Sequence, residues 1–157
     1  GRTSIYVARK SDEYTIVVDT HGKLRWQADE ADGHPLLCIV SEEVAEAYLE
    51  TLRQQGISWI AAGKGPIDLP KAMEALSEHF GVKRLAIVGG GHICGGFLEA
   101  GLIDEVSIMV APGIDGRKGQ TTVFDGIADT GCKPFRLKLE SVEQWPTDIV
   151  WLRYKMK

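Results

Sequence analysis

An α/β domain with a mostly parallel sheet and an antiparallel edge is the architecture this sequence predicts. Short β-branched runs alternate with segments of helical spacing, as successive βα units require. The glycines at 89–91 join an apolar run directly to a helical one. The C-terminal stretch changes period: Phe135, Leu137 and Leu139 alternate with charges, as do Val150, Leu152, Tyr154 and Met156. Two such runs joined by Trp145–Asp148 read as a hairpin.

The elements follow in order. Ile5–Ala8 and Tyr14–Val18 are strand candidates, and the polar segment 19–35 reads as a loop with a turn at His21-Gly22. Leu36–Val40 is a continuous apolar run, the pattern of a strand covered on both faces. Ser41 is placed to cap a helix whose apolar stripe is Val44, Tyr48 and Leu52, with Gly56 ending it. Ile57–Ala61 is the next strand. Pro70 suits the first turn of a helix striped by Leu69, Met73, Leu76 and Phe80 and closed by Gly81. Leu85–Val88 reads as a strand, Ile93–Ala100 as a short helix and Glu105–Ala111 as a further strand. Right-handed crossovers would lay the helices over both faces of the sheet.

Composition narrows the function classes. A chain of 157 residues, 44% hydrophobic and 25% charged, suits one globular domain with its own core. A net charge of −4 offers no broad basic face for nucleic acid. Charges or turn residues interrupt every apolar run well short of the roughly 20 residues of a membrane span. The start lacks the apolar core of a signal peptide. Cys38, Cys94 and Cys132 are odd in number and form no CxxC pair, so a reducing cytoplasm is the expected setting.

In a parallel sheet, ligands bind beyond the carboxyl ends of the strands. That singles out the turns at Thr20, Ser41, Ala62–Lys64 and Gly89–His92. The strongest local signal is VGGGHICGG, residues 88–96. Glycines there let the backbone approach a ligand and adopt positive φ, and the first amides of the following helix suit an anion such as a diphosphate. The plain alternative is a tight strand-to-helix turn. The motif is not a full GxGxxG, since Cys94 occupies the third position, and no GxxxxGK[ST] is present. His92 and Cys94 lack further ligands at metal-site spacing. Cys94 reads as a small filler, with a nucleophile as the alternative. Asp19 could bind a ligand or cap the 19–35 loop.

The segment LAIVGGGHICGGFLEAGLIDEVSIMVAPGIDG, residues 85–116, resembles the reductase domain of riboflavin biosynthesis. That domain is the C-terminal half of the bifunctional pyrimidine deaminase–reductase, with a dihydrofolate-reductase-like fold. Shorter matches run through VVDTHGKL (17–24), IVSEEV (39–44) and AAGKGPIDL (61–69).

The resemblance implies a three-layer sandwich and an NADPH-dependent reductase. Its substrate would be an open-chain ribosylamino-pyrimidine 5′-phosphate or a related small heterocycle, and its assembly a homodimer. Carried over by position, Thr20, Ser41, Gly63, Gly89, Gly90, Gly91, His92 and Ile93 would contact the cofactor. No metal and no catalytic residue are implied. Two departures stand out. Val88 occupies the position before the glycines where the family usually has Glu, which removes a hydrogen-bond acceptor. The family's N-terminal strand and its Ser-Leu-Asp-Gly-like segment are not visible and are expected to precede Gly1. Both departures motivate an alternative, a non-catalytic nucleotide-binding homologue. Glu42 and Glu43 would repel a 2′-phosphate placed beside them, which Lys64 or His92 could offset.

Overall fold

Alternate residues of one apolar strand point to opposite faces, and that geometry organises the first part of the molecule. The computed structural model describes residues 4–128, 131 and 133–157, so Cys132 lies outside the described residues. The chain divides into two compact units, Gly1–Ala86 and Ile87–Lys157.

The first unit contains β1 (Ser4–Tyr6), β2 (Thr15–Val18), β3 (Glu30–Ala31), β4 (His34–Val40), α1 (Glu46–Gln54), β5 (Ser58–Ala61) and α2 (Leu69–Phe80). Its sheet has the order β1-β5-β4-β2, with β3 pairing on β4. β2, β4 and β5 are mutually parallel, and β1 joins β5 antiparallel. From β4, Leu36, Cys38 and Val40 enter a core with Leu49 and Leu52 of α1. Leu37 and Ile39 enter the opposite core with Ala72, Ala75, Leu76 and Phe80 of α2. The strand is therefore covered on both faces, as its unbroken apolar run predicts. Asp68 caps α2 by accepting from the Lys71 amide, Pro70 sits in the first turn, and Gly81 closes the helix at φ 69°.

α1 begins later than its sequence suggests. Ala45, with no side-chain cap, stands at its N-terminus. Ser41 is not the cap because its hydroxyl serves a preceding turn, accepting from the Glu43 amide and donating to the Gly63 carbonyl. Leu85–Val88 is a second correction. It forms no strand, and Val88 is 94% exposed. β5 already carries β4 on one edge and β1 on the other, so the sheet leaves no free edge beside it. Apolar, β-branched residues suit a pleated surface but do not supply a partner.

The second unit contains α3 (Gly91–Glu99), β6 (Glu105–Val110), β7 (Leu137–Gln144) and β8 (Val150–Met156). The expected hairpin forms, and β8 lies between β6 and β7 in a wholly antiparallel sheet. β6 thus pairs antiparallel with β8 instead of extending the parallel alternation. The register gathers one apolar face: Val106 and Leu139 flank Tyr154, and Ile108 and Val142 flank Leu152. Among the described residues, no helix is long and apolar enough to cross a membrane.

Leu52 of α1 is fully buried in the core that α1 forms with β4, so Leu52→Ala should cost about 2–5 kcal/mol in denaturant unfolding. Val88→Thr should change stability by no more than about 0.5 kcal/mol, because the Val88 side chain is almost fully exposed. A large loss for Val88→Thr would place residues 85–88 in a core after all.

Candidate functional site

The first unit presents its polar turns at the carboxyl ends of β2 and β4. Asp19 follows β2 and is 8% exposed. Its carboxylate accepts from the amides of Lys23 at 3.0 Å and Leu24 at 2.9 Å, and from the Tyr48 hydroxyl at 2.8 Å. Burial pushes its pKa up, but the Leu24 and Lys23 amides, Tyr48 and the Gly22 amide together hold it below the usual value. Asp19 is thus the cap of the loop that follows it, and the open choice between capping and ligand binding is decided by its partners. Beside it, burial and then the Asp19 charge push the Cys38 thiol up to about 12, so that cysteine stays protonated.

The Asp19 turn delivers Thr20 and His21 to a hollow of about 180 Å³, completed by Ser41, Glu43 and Val44. Drug-sized ligands need roughly 300–1,000 Å³, so this hollow suits one group of a larger ligand. The Ser41 amide donates to the Thr20 carbonyl at 3.2 Å, which joins the two strand ends. The Ser41 hydroxyl proton is already spent on Gly63. Gly63 has both backbone groups engaged: its carbonyl also accepts from the Glu42 amide at 2.8 Å, and its amide donates to the Glu42 carboxylate at 3.3 Å. At φ 87°, a side chain on Gly63 would strike the backbone of Pro66 and Asp68.

The second unit carries the glycine turn. Gly90 precedes α3 with φ −46° and ψ 169°, and none of Gly89–Gly91 has positive φ. Conformational freedom is therefore not why these glycines are needed. Space is the better account. A Cβ on Gly89 or Gly90 would meet nothing within 4 Å, whereas one on Gly91 would collide with the Thr122 carbonyl. Gly95, one turn on, faces the backbone of Asp125 just as closely, and the Asp125 amide donates to the Gly91 carbonyl at 2.9 Å. The amides of Gly91 and His92 have no partner among the described residues, which leaves an open donor pair at a helix start. The Cys94 thiol donates to the Gly89 carbonyl at 3.1 Å and braces the turn. His92 and Ile93 are exposed. Among the described residues, no three His, Cys, Asp or Glu side chains are gathered to hold a metal ion.

Of the residues singled out from sequence, Thr20 and Ser41 share the hollow, and Gly63 braces it. Gly89–Ile93 form the turn on the other unit. Sequence reasoning missed His21 and Glu43 as lining residues, the hydroxyl of Tyr48, and Gly95. The Gly91–Gly95 spacing of four places both on one helix face, which is the signal of a close backbone approach.

Comparison with known proteins decides the family. The model of the RibD C-terminal domain matches residues 7–151. This chain belongs to the RibD C-terminal domain family. A 2,5-diamino-6-ribosylamino-4(3H)-pyrimidinone 5′-phosphate reductase from Methanothermobacter thermautotrophicus is 30% identical over 147 residues, which cover 90% of this chain and 65% of that protein. Among solved structures, a pyrimidine reductase-like protein from Corynebacterium diphtheriae aligns with TM-score 0.76 at 21% identity, over 92% of this chain and 61% of that one. Acinetobacter baumannii RibD aligns with TM-score 0.71 at 21% identity, over 90% of this chain and 37% of its own. The resemblance read from residues 85–116 is borne out, and the fold is the dihydrofolate-reductase-like one of these neighbours. This chain spans less than two thirds of the length of each of these relatives.

The Asp19 network sets a pH dependence. Its folded pKa lies below its ordinary 3.8, so the carboxylate stabilises the fold fully above about pH 4 and loses that contribution as pH falls through the folded pKa. Asp19→Ala should cost about 1–3 kcal/mol at neutral pH and flatten the acid limb of a stability-against-pH curve. An acid limb identical to the native one would refute the assignment.

Proposed function

We propose that this chain is a nicotinamide-dependent reductase using NADPH, acting on a ribosylamino-pyrimidine 5′-phosphate or a closely related small heterocycle. One observation carries the reading. The Gly89-Gly90 turn is open on its outer side and leads into helix-start amides that have no partner among the described residues, in a chain of the RibD C-terminal domain family. The donor chemistry fits a phosphate, because amides at a helix N-terminus complement negative charge without needing a cation. The methanogen relative's name supports the reaction class and the substrate class.

In this reading Gly89, Gly90, Gly91, His92 and Ile93 hold phosphate. Thr20 offers a hydroxyl that has no partner among the described residues to a polar group at its hollow. Ser41 and Gly63 shape that hollow from behind. The Glu42 carboxylate keeps its charge, with one oxygen tied to the Gly63 amide. The cofactor would supply hydride, while the protein supplies binding, orientation and electrostatics. Val88 leaves the position before the glycines without an acceptor, which favours a substrate that asks for no carboxylate there. The same residue supports a second reading, a nucleotide-binding homologue without turnover.

A homodimer is part of the proposal. Leu137, Leu139 and Val142 are between 37% and 56% exposed on the apolar face of the β6-β8-β7 sheet, and a second copy would cover them. We also place the protein in the cytoplasm. Support comes from Cys38 and Cys94, which are free thiols.

NADPH titration of the native protein by fluorescence and calorimetry tests the core claim, with saturable binding as the expected result. Gly90→Val should keep the fold, because a side chain there meets open space, and should weaken NADPH binding at least tenfold through blocked approach. Binding unchanged in Gly90→Val would move the phosphate elsewhere. NADPH oxidation with the aminopyrimidine ribosyl phosphate separates the enzyme from the non-catalytic homologue. Light scattering on the native chain should give twice the monomer mass, and Leu139→Lys should shift it towards monomer.

A further inference from the structure

We infer that Tyr48 is a positioning residue that sets the Thr20–His21 wall of the hollow through Asp19. For its binding consequence, the inference rests on the cofactor reading above. Tyr48 lies on α1, on the stripe that packs against the sheet, yet its hydroxyl leaves the apolar core and reaches the end of β2. The Asp19 side chain accepts from the amides of Lys23 and Leu24 within that turn and from the Tyr48 hydroxyl outside it. Tyr48 is thus the side chain, from a different element, that anchors the turn.

The direction of that bond is set. The indole N–H of Trp26 donates to the Tyr48 oxygen at 2.8 Å. A phenol has one proton, and with a lone pair engaged by Trp26, that proton is left for Asp19. The chain therefore runs from Trp26 through Tyr48 to the carboxylate. Inside a partly buried site, such a chain strengthens each link. The ring contributes as well. Gly22 sits at φ 63° against it, and a Cβ there would stand 2.9 Å from the Tyr48 ring. The turn is thus gripped twice by one residue, at Gly22 by the ring and at Asp19 by the hydroxyl. Thr20 and His21 lie between those two grips and have little freedom to leave the hollow. Tyr48 does not line the hollow itself, so its effect on a ligand would be indirect.

Tyr48→Phe keeps the ring and removes the hydroxyl. Two readouts follow. Amide hydrogen exchange at Lys23 and Leu24 should accelerate without ligand present, with α2 and β5 unchanged. NADPH affinity should fall by roughly threefold to tenfold, with the loss in KM and not in kcat. Trp26→Phe should act in the same direction and less. In Asp19→Ala, adding Tyr48→Phe should weaken binding no further, because no side-chain acceptor is left for the Tyr48 hydroxyl. Native exchange at Lys23 and Leu24 in Tyr48→Phe would overturn the inference. So would an acceleration spread evenly over the whole first unit, or additive losses in the double variant. Failure of the native protein to bind NADPH would instead overturn the proposed function, and the exchange measurement would still decide the role of Tyr48.

Discussion

A strand with no polar face must be covered on both sides, and β4 imposes that condition on the first unit. Leu36 through Val40 are all buried, with relative exposures of 6% or less. Odd and even positions feed different cores, so α1 and α2 have to lie on opposite faces. Parallel neighbours on both edges follow, because covered strands of this kind belong to the interior of α/β sheets. The functional consequence is positional. The turns after β2, β4 and β5 all lie at the carboxyl ends of parallel strands, where amides and carbonyls run out of ladder partners and are free to build a site.

What fills those ends is hydrogen bonding rather than charge pairing. Asp19 makes no ion pair among the described residues and is held by amides and a phenol. Ser41, Glu42 and Gly63 form a second knot in which each donor meets a neighbouring acceptor. Fixed dipoles of this kind keep a surface hollow in shape without a salt bridge that solvent would screen. The two knots meet at the Ser41 amide and the Thr20 carbonyl, so the hollow's walls share one support.

The glycines of the second unit divide by purpose. Gly91 and Gly95 admit the backbone of residues 122–125 onto α3, while Gly89 and Gly90 leave open space outside the turn. A side chain would cost packing at the first pair and access at the second. The run of three therefore serves two unrelated constraints, and neither is positive φ.

Periodicity and punctuation were enough to determine the α/β character, the two-faced strand, the stripe of α2 and the C-terminal hairpin, because these depend on residues near one another in the chain, while the family was legible only as the resemblance carried by residues 85–116. The Pro70 and Gly81 boundaries of α2 are of that kind. Partners distant in sequence were decided only in three dimensions. Leu85–Val88 has strand composition, but β1 fills the edge beside β5. Ser41 has N-cap chemistry, but Gly63, 22 residues on, takes its proton. Tyr48 reads as one more apolar stripe position, and only tertiary structure brings its hydroxyl to a carboxylate 29 residues away. A side chain's type limits which bonds it can make, and the fold selects among them by distance and direction.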